Sequence, residues 1–139
     1  MKLFRSIALG FGLLLATASY AQEAHVRAAV PFDFIVGNQS LPAGDYTVQS
    51  MGVASSALVI RNNDEGNSIM SLAGSCRQLN ASEKTKLVFH RVGNRYFLYE
   101  IWTEGENAGR RLRVSPAETE AALNQKVETV IVAAALIAR

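Results

Sequence analysis

Three arginines within residues 110–113, Arg110, Arg111 and Arg113, are the densest run of one chemistry in the chain. Guanidinium groups so spaced suit phosphate or carboxylate groups, which they grip through paired N–H donors. A little upstream, Phe89, Tyr96, Phe97, Tyr99 and Trp102 concentrate five of the chain's eleven aromatic residues in one short stretch, and such rings stack on sugars or anchor partner surfaces. Tyr96, Tyr99, Trp102, Arg110, Arg111 and Arg113 are therefore the candidate ligand or partner surface. The plainer account is structural. On a strand, alternation separates Arg111 and Arg113 from Arg110, Glu100, Glu104 and Glu106 lie close in sequence as compensating charge, and a strand buried on both sides would itself demand rings on both faces.

Other reactive residues form no constellation. His25 and His90 have no metal-ligand spacing of the HxH or HExxH kind, and each reads as a surface or satisfied histidine. Asp33, Asp45, Asp64 and Glu65 match no DxDxDG calcium loop and read as solvated turn carboxylates. Catalysis by acyl transfer requires a nucleophile, a base and an orienter, and there is no GxSxG elbow to nominate a serine. Cys76 is the single cysteine, so no disulfide can form within the chain, and with no neighbouring His or CxxC partner it reads as a small buried apolar residue. The expectation is a non-enzymatic protein with no cofactor and no metal.

What these residues serve depends on where the chain works. Lys2 and Arg5 precede an apolar run from Ile7 to Ala18, and Ser19 and Ala21 occupy the small-residue positions of a cleavage site before Gln22. This is the pattern of a secretory signal peptide over residues 1–21, leaving residues 22–139 as one exported domain in the periplasm or outside the cell. The apolar run falls short of the roughly 20 residues of a membrane span. Removing residues 1–21 takes Lys2 and Arg5 with it, and the formal charge falls from +2 to zero. A chain without charge excess has no general attraction for nucleic acid or an anionic membrane. The sequons Asn38-Gln39-Ser40 and Asn80-Ala81-Ser82 would matter only in a eukaryotic secretory route.

The elements that must carry the candidate surface are strands. Over residues 26–36 Val26, Ala28, Val30, Phe32, Phe34 and Val36 alternate with more polar residues, which builds one long apolar face. Pro31 lacks an N–H for the ladder and places this strand at an edge or bends it midway. Leu41-Pro42-Ala43-Gly44 is a reversal, followed by strands over residues 46–51, 57–62 and 68–73. Residues 86–92 and 95–103 flank Gly93-Asn94 as a hairpin, and a short strand is expected over residues 110–114. Ser115-Pro116-Ala117-Glu118 reads as a capping box opening one helix that runs to about residue 124. Residues 127–138 are apolar and rich in β-branched side chains, and are taken as a strand that covers the edge of the first. The sum is an all-β protein: an antiparallel β-sandwich or small β-barrel of about eight strands with one short helix near the C-terminus.

Taken in order, Val30-Pro31-Phe32-Asp33-Phe34 with Val36-Gly37, Leu41-Pro42-Ala43-Gly44 with Tyr46 and Val48, Leu87-Val88-Phe89 with Gly93 and Tyr96-Phe97-Leu98, Ile101-Trp102, and Gly109-Arg110 with Leu112 and residues 115–118 resemble a family of small exported proteins of soil bacteria. The resemblance covers nearly all of residues 22–139. It implies export and a β fold, and it carries over no assigned activity and no catalytic residue. The functional expectation is an exported domain that binds a ligand or partner in the cell envelope or outside it. Two other readings stand beside it: an assembly component pairing through exposed strand edges at residues 26–36 and 127–138, and a small barrel holding an apolar ligand among residues such as Phe32, Phe34 and Trp102.

Overall fold

A computed structural model describes residues 24–51 and 56–138. The signal-peptide segment therefore lies outside the described residues. Eleven strands and one helix are present among those described: β1 Ala24–Val30, β2 Phe34–Val36, β3 Gln39–Leu41, β4 Gly44–Ser50, β5 Ala57–Asn62, β6 Ser68–Arg77, β7 Lys86–Val92, β8 Arg95–Trp102, β9 Ala108–Leu112, α1 Pro116–Ala122, β10 Val127–Ala133 and β11 Ala135–Ala138. They form one sheet in the order β10-β7-β8-β9-β6-β5-β4-β1-β11, with β2 paired to both β3 and β8. All pairings are antiparallel except β2 with β8.

The sheet folds over on itself through β6. Residues 68–72 of that strand pair with β5, and residues 73–77 pair with β9, so one strand belongs to two leaves, as corner strands do in orthogonally packed sheets. Val26, Ala28, Val30, Val48, Leu58 and Ile60 of one leaf face Leu87, Phe89, Leu98, Ile101 and Leu112 of the other in a single core. The architecture is all-β with one helix, and it is not a closed barrel. Its two end strands, β10 and β11, are not hydrogen-bonded to each other and meet covalently through Ala134, whose N–H is held by the Thr85 carbonyl.

The higher strand count has local causes. Pro31 breaks the first alternation, so β1 and β2 are separate strands, yet Val26, Ala28, Val30, Phe34 and Val36 all remain buried as the alternation requires. Residues 39–41, with Leu41 expected to open the reversal, pair with β2 as β3. His25, upstream of the alternation at residues 26–36, lies within β1 opposite Ile137. The 127–138 segment is strand in both halves: β10 lies on β7, and β11 covers β1 from Ala24 to Arg27. The β7–β8 hairpin stands where Gly93-Asn94 placed it, with Val92 opposite Arg95. Gly93 has φ +61° and no non-glycine residue among those described is at positive φ, the type II′ pattern with glycine at the first central position.

Two motifs fix corners. Tyr46 is 1% exposed, and its hydroxyl donates to the Pro42 carbonyl at 2.5 Å while accepting from Asn62 Nδ2 at 3.2 Å, a tyrosine corner in the manner of β-sandwich domains. Asn62 Oδ1 in turn accepts from the N–H groups of Asp64 and Glu65, tying the β4 entrance to the β5–β6 turn. At α1 the Ser115 side chain accepts from Glu118 N, with Pro116 in the first turn, as expected. The reciprocal half of the capping box is replaced: Glu118 points to His90 instead, Oε1 to Nδ1 at 2.5 Å, and so docks the helix on β7.

Candidate ligand cleft

The alternation of β8 is interrupted, and this decides where its aromatic side chains go. Val88 pairs with Glu100 and Phe89 with Leu98, so Tyr99 is the extra residue of a β-bulge. Leu98 and Ile101 consequently both enter the core, although strict alternation would set them on opposite faces. Trp102 is thrown to the outer side, where it is 5% exposed and donates from Nε1 to Glu100 Oε1 at 3.4 Å. Gly109 lies against it: a Cβ there would sit 2.7 Å from Trp102 Cε3. Val88, Val92 and Phe97 are buried on the same side of the leaf, where α1 packs.

The six candidate surface residues are therefore dispersed. Tyr96 is half-buried at one end of the core, stacked on Phe32 with centroids 3.8 Å apart. Tyr99 lies on the outer face between His90, stacked at 3.8 Å, and the Arg111 guanidinium, 5.2 Å from the ring centroid. Arg111 makes two hydrogen bonds to Glu100 Oε2, at 2.9 and 2.7 Å. Arg113 is exposed beyond the end of β9. Trp102 is covered and offers no platform, and the cavity expected among Phe32, Phe34 and Trp102 does not exist, because Phe34 and Trp102 are buried on different sides of the leaf.

This outer network, Glu118–His90–Tyr99–Arg111–Glu100, holds a helix and three strands, β7, β8 and β9, together. Cys76 Sγ lies 3.7 Å from Glu100 Oε2. Burial first, and the Glu100 charge second, push its thiol above the usual value, which disfavours the reactive thiolate. Cys76 is half-buried rather than fully enclosed. The turn carboxylates are likewise occupied: Asp45 is held below the ordinary carboxylate range by its hydrogen bonds to Arg27, while Asp33 and Asp64 accept from the backbone N–H groups of Ala43 and Asp45. Among the described residues no three His, Cys, Asp or Glu side chains group as metal ligands would.

Arg110 is different. Alternation along β9 puts Leu112 in the core, and Arg110 on the same side at the end of the sheet. There it lines a cleft of about 510 Å³ between the two leaves, within the size range of small-molecule sites. The floor is aliphatic, formed by Val26, Val48, Leu58 and Ile101, and Ser75 and Thr103 contribute hydroxyls. Arg110 reaches across the mouth to donate from Nη2 to Ser50 Oγ at 3.3 Å. Other depressions on the surface have similar volumes. This one is set apart by opening onto the hydrophobic core.

The two ends of the sheet are filled unequally, which explains why the cleft lies at one of them. At the far end Phe32 stacks on Tyr96 and meets Phe89 edge-on at 5.0 Å, while Phe34 packs edge-on against Tyr46 at 4.9 Å. Five large rings plug that opening. At the near end the facing side chains are Val, Leu and Ile, which do not reach across. Composition alone concealed this, because Ser50, Leu58, Ser75 and Arg110 come together only through pairings distant in sequence.

No protein-family model, curated protein or solved structure matches the chain. The fold and the chemistry of its surfaces carry the functional argument.

Proposed function

We propose that this protein is an exported, non-enzymatic β domain that binds a small ligand in the cleft between its leaves. The observation that carries the reading is the cleft itself: an opening of about 510 Å³ onto an aliphatic floor, with hydroxyls and one guanidinium at its rim, the mixture of apolar wall and few polar anchors that ligand sites use. Export is supported by the basic, apolar and small-residue succession of residues 1–21. The non-enzymatic character is supported by the absence of a catalytic motif in the sequence and by the structural use of the ionisable groups: Glu118 holds His90, Glu100 holds Arg111, and Asp45 holds Arg27.

Two measurements test the two halves of this reading. Intact mass of protein recovered from the periplasm or medium of an expressing bacterium should correspond to a chain beginning at Gln22; a cytoplasmic chain that keeps Met1 would overturn export. For binding, methyl resonances of Val26, Val48, Leu58 and Ile101 should shift on titration with octanol or octanoate, whereas those of Val130 and Val132, on the opposite side of the core, should not. Shifts absent from the cleft methyls with both probes would end the ligand-site reading.

The reading as an edge-pairing assembly component has less to stand on. β1 has β4 on one side and β11 on the other, so it offers no open edge, and that reading is left with the end strands β10 and β11 alone.

A further inference from the structure

Building on the cleft as a ligand site, we infer that its ligand is a small amphiphile with a carboxylate head, and that Arg110 is the head-group anchor. Of the arginines among the described residues, Arg110 is the one that is not exposed. It also makes no ion pair there, whereas its neighbour Arg111 is bound to Glu100 and Arg27 to Asp45. Its hydrogen bond goes to a neutral hydroxyl, Ser50 Oγ. A half-buried guanidinium without a carboxylate has given up hydration without gaining a counter-charge, and it leaves a fork of N–H donors suited to a planar anion. The only acid lining the same cleft among the described residues is Glu106, which is exposed on the loop before β9 and bonded to Arg110 by no contact.

The rest of the ligand follows from the floor. Val26, Val48, Leu58 and Ile101 retain between 2 and 6% exposure, so the apolar contact is narrow and accommodates a short aliphatic tail rather than a ring system or a long chain. Ser75 and Thr103 lie at the same rim and supply hydroxyls that accompany a carboxylate without competing with Arg110 for it. Because the tail contact is small, the ionic contact contributes a large part of the affinity, and selectivity between acid and alcohol is the diagnostic.

The probes are octanoate, octanol and octyltrimethylammonium, titrated into the exported chain and read by the cleft methyl shifts and by calorimetry. Octanoate should bind on the order of 10- to 100-fold more tightly than octanol, the factor expected of a charge-assisted hydrogen bond, and the ammonium should bind no better than the alcohol. Arg110→Gln keeps a donor for Ser50 and removes the charge; it should bring octanoate down to the level of octanol while leaving octanol unchanged. Ala108→Phe, which fills the cleft from the neighbouring inward position of β9, should abolish both, and unfolding curves of each variant verify that the fold survives. Equal binding of acid and alcohol in the parent chain, or an Arg110→Gln variant that keeps the preference for acid, would overturn the anchor while sparing the cleft. Absence of binding by any of the three probes would overturn both.

Discussion

Replacing Tyr46 by phenylalanine isolates the contribution of one hydroxyl to the corner that holds two strands and a turn together. The ring stays: its edge-on contact with Phe34 at 4.9 Å and its burial are unchanged. Two bonds disappear, the 2.5 Å donation to Pro42 O and the acceptance from Asn62 Nδ2 at 3.2 Å. The first is worth about 1 kcal/mol, since Pro42 is exposed and water can replace the donor. The second is worth more, because Asn62 is 4% exposed and its amide loses its acceptor inside the protein; an unsatisfied buried donor costs roughly 1–3 kcal/mol. Together Tyr46→Phe should destabilise by about 2–4 kcal/mol, a fall in Tm on the order of 10 °C for a domain of this size. Urea unfolding of Tyr46→Phe, Asn62→Ala and the double variant measures the pair directly: a coupling of about 1 kcal/mol or more is expected, since the residues share a bond. A Tyr46→Phe cost within about 0.5 kcal/mol, the range of ordinary surface changes, or strict additivity in the cycle, would refute the corner as a stabilising unit.

Four further outcomes follow from other contacts. Burial raises the Tyr46 phenol above its ordinary 10.0, so the unfolded chain releases that proton first; stability should be full below 10.0 and decline as pH rises through the raised folded value, and Tyr46→Phe should flatten this decline. Gly109→Ala sets a Cβ 2.9 Å from the Ile101 carbonyl and 2.7 Å from Trp102; overpacking against backbone should cost about 2–3 kcal/mol and change the emission of the single tryptophan, which an unchanged spectrum and stability would contradict. Cys76 should be alkylated more slowly than a free thiol at mildly alkaline pH, and Glu100→Gln should speed it by removing the nearby negative charge; reaction at the rate of a model thiol would show that burial does not protect it. Deleting Ala134 shifts β11 by one residue and turns its side chains to the opposite face, so the amides of residues 25–27 should lose hydrogen-exchange protection, whereas retained protection would mean β11 contributes nothing to the β1 edge.

Much of this architecture was legible where the determinants are local. Gly93-Asn94 between two β-rich runs, the alternation of residues 26–36 and Ser115-Pro116 at the helix start each depend on neighbours in sequence, and each stands in the structure. The failures have a common form. Tyr99 as a bulge residue cannot be read from β8 alone, because it exists through the pairing of Val88 with Glu100, and it sets Ile101 in the core and Trp102 outside it, the reverse of uninterrupted alternation from Leu98. Glu118 fits a capping box by spacing, yet a histidine 28 residues away takes its carboxylate. The candidate surface grouped Arg110 with Arg111 and Arg113 because they adjoin in sequence, while in the fold Arg110 shares a cleft with Ser50 and its neighbours turn to the other face. The alternation rule, applied to β9 from the apolar Leu112, contained that separation; the aliphatic floor opposite had no local signal.

The junction at Ala134 has a kinetic meaning. One C-terminal segment supplies both end strands of the sheet, β10 on β7 and β11 on β1, and the ribosome makes it after every strand it pairs with. Until residues 127–138 are present, a nascent chain can form its hairpins but leaves β7 and β1 each without one neighbour, and the pairing of β1 with β11 spans nearly the whole described chain. Long-range closure of this kind slows folding and prolongs the exposure of unpaired edges. The flanks of β1 and β7 are thus covered only by the last-made strands, and any lesion that delays or shortens them should be felt as aggregation during synthesis before it is felt as lost stability in the finished fold.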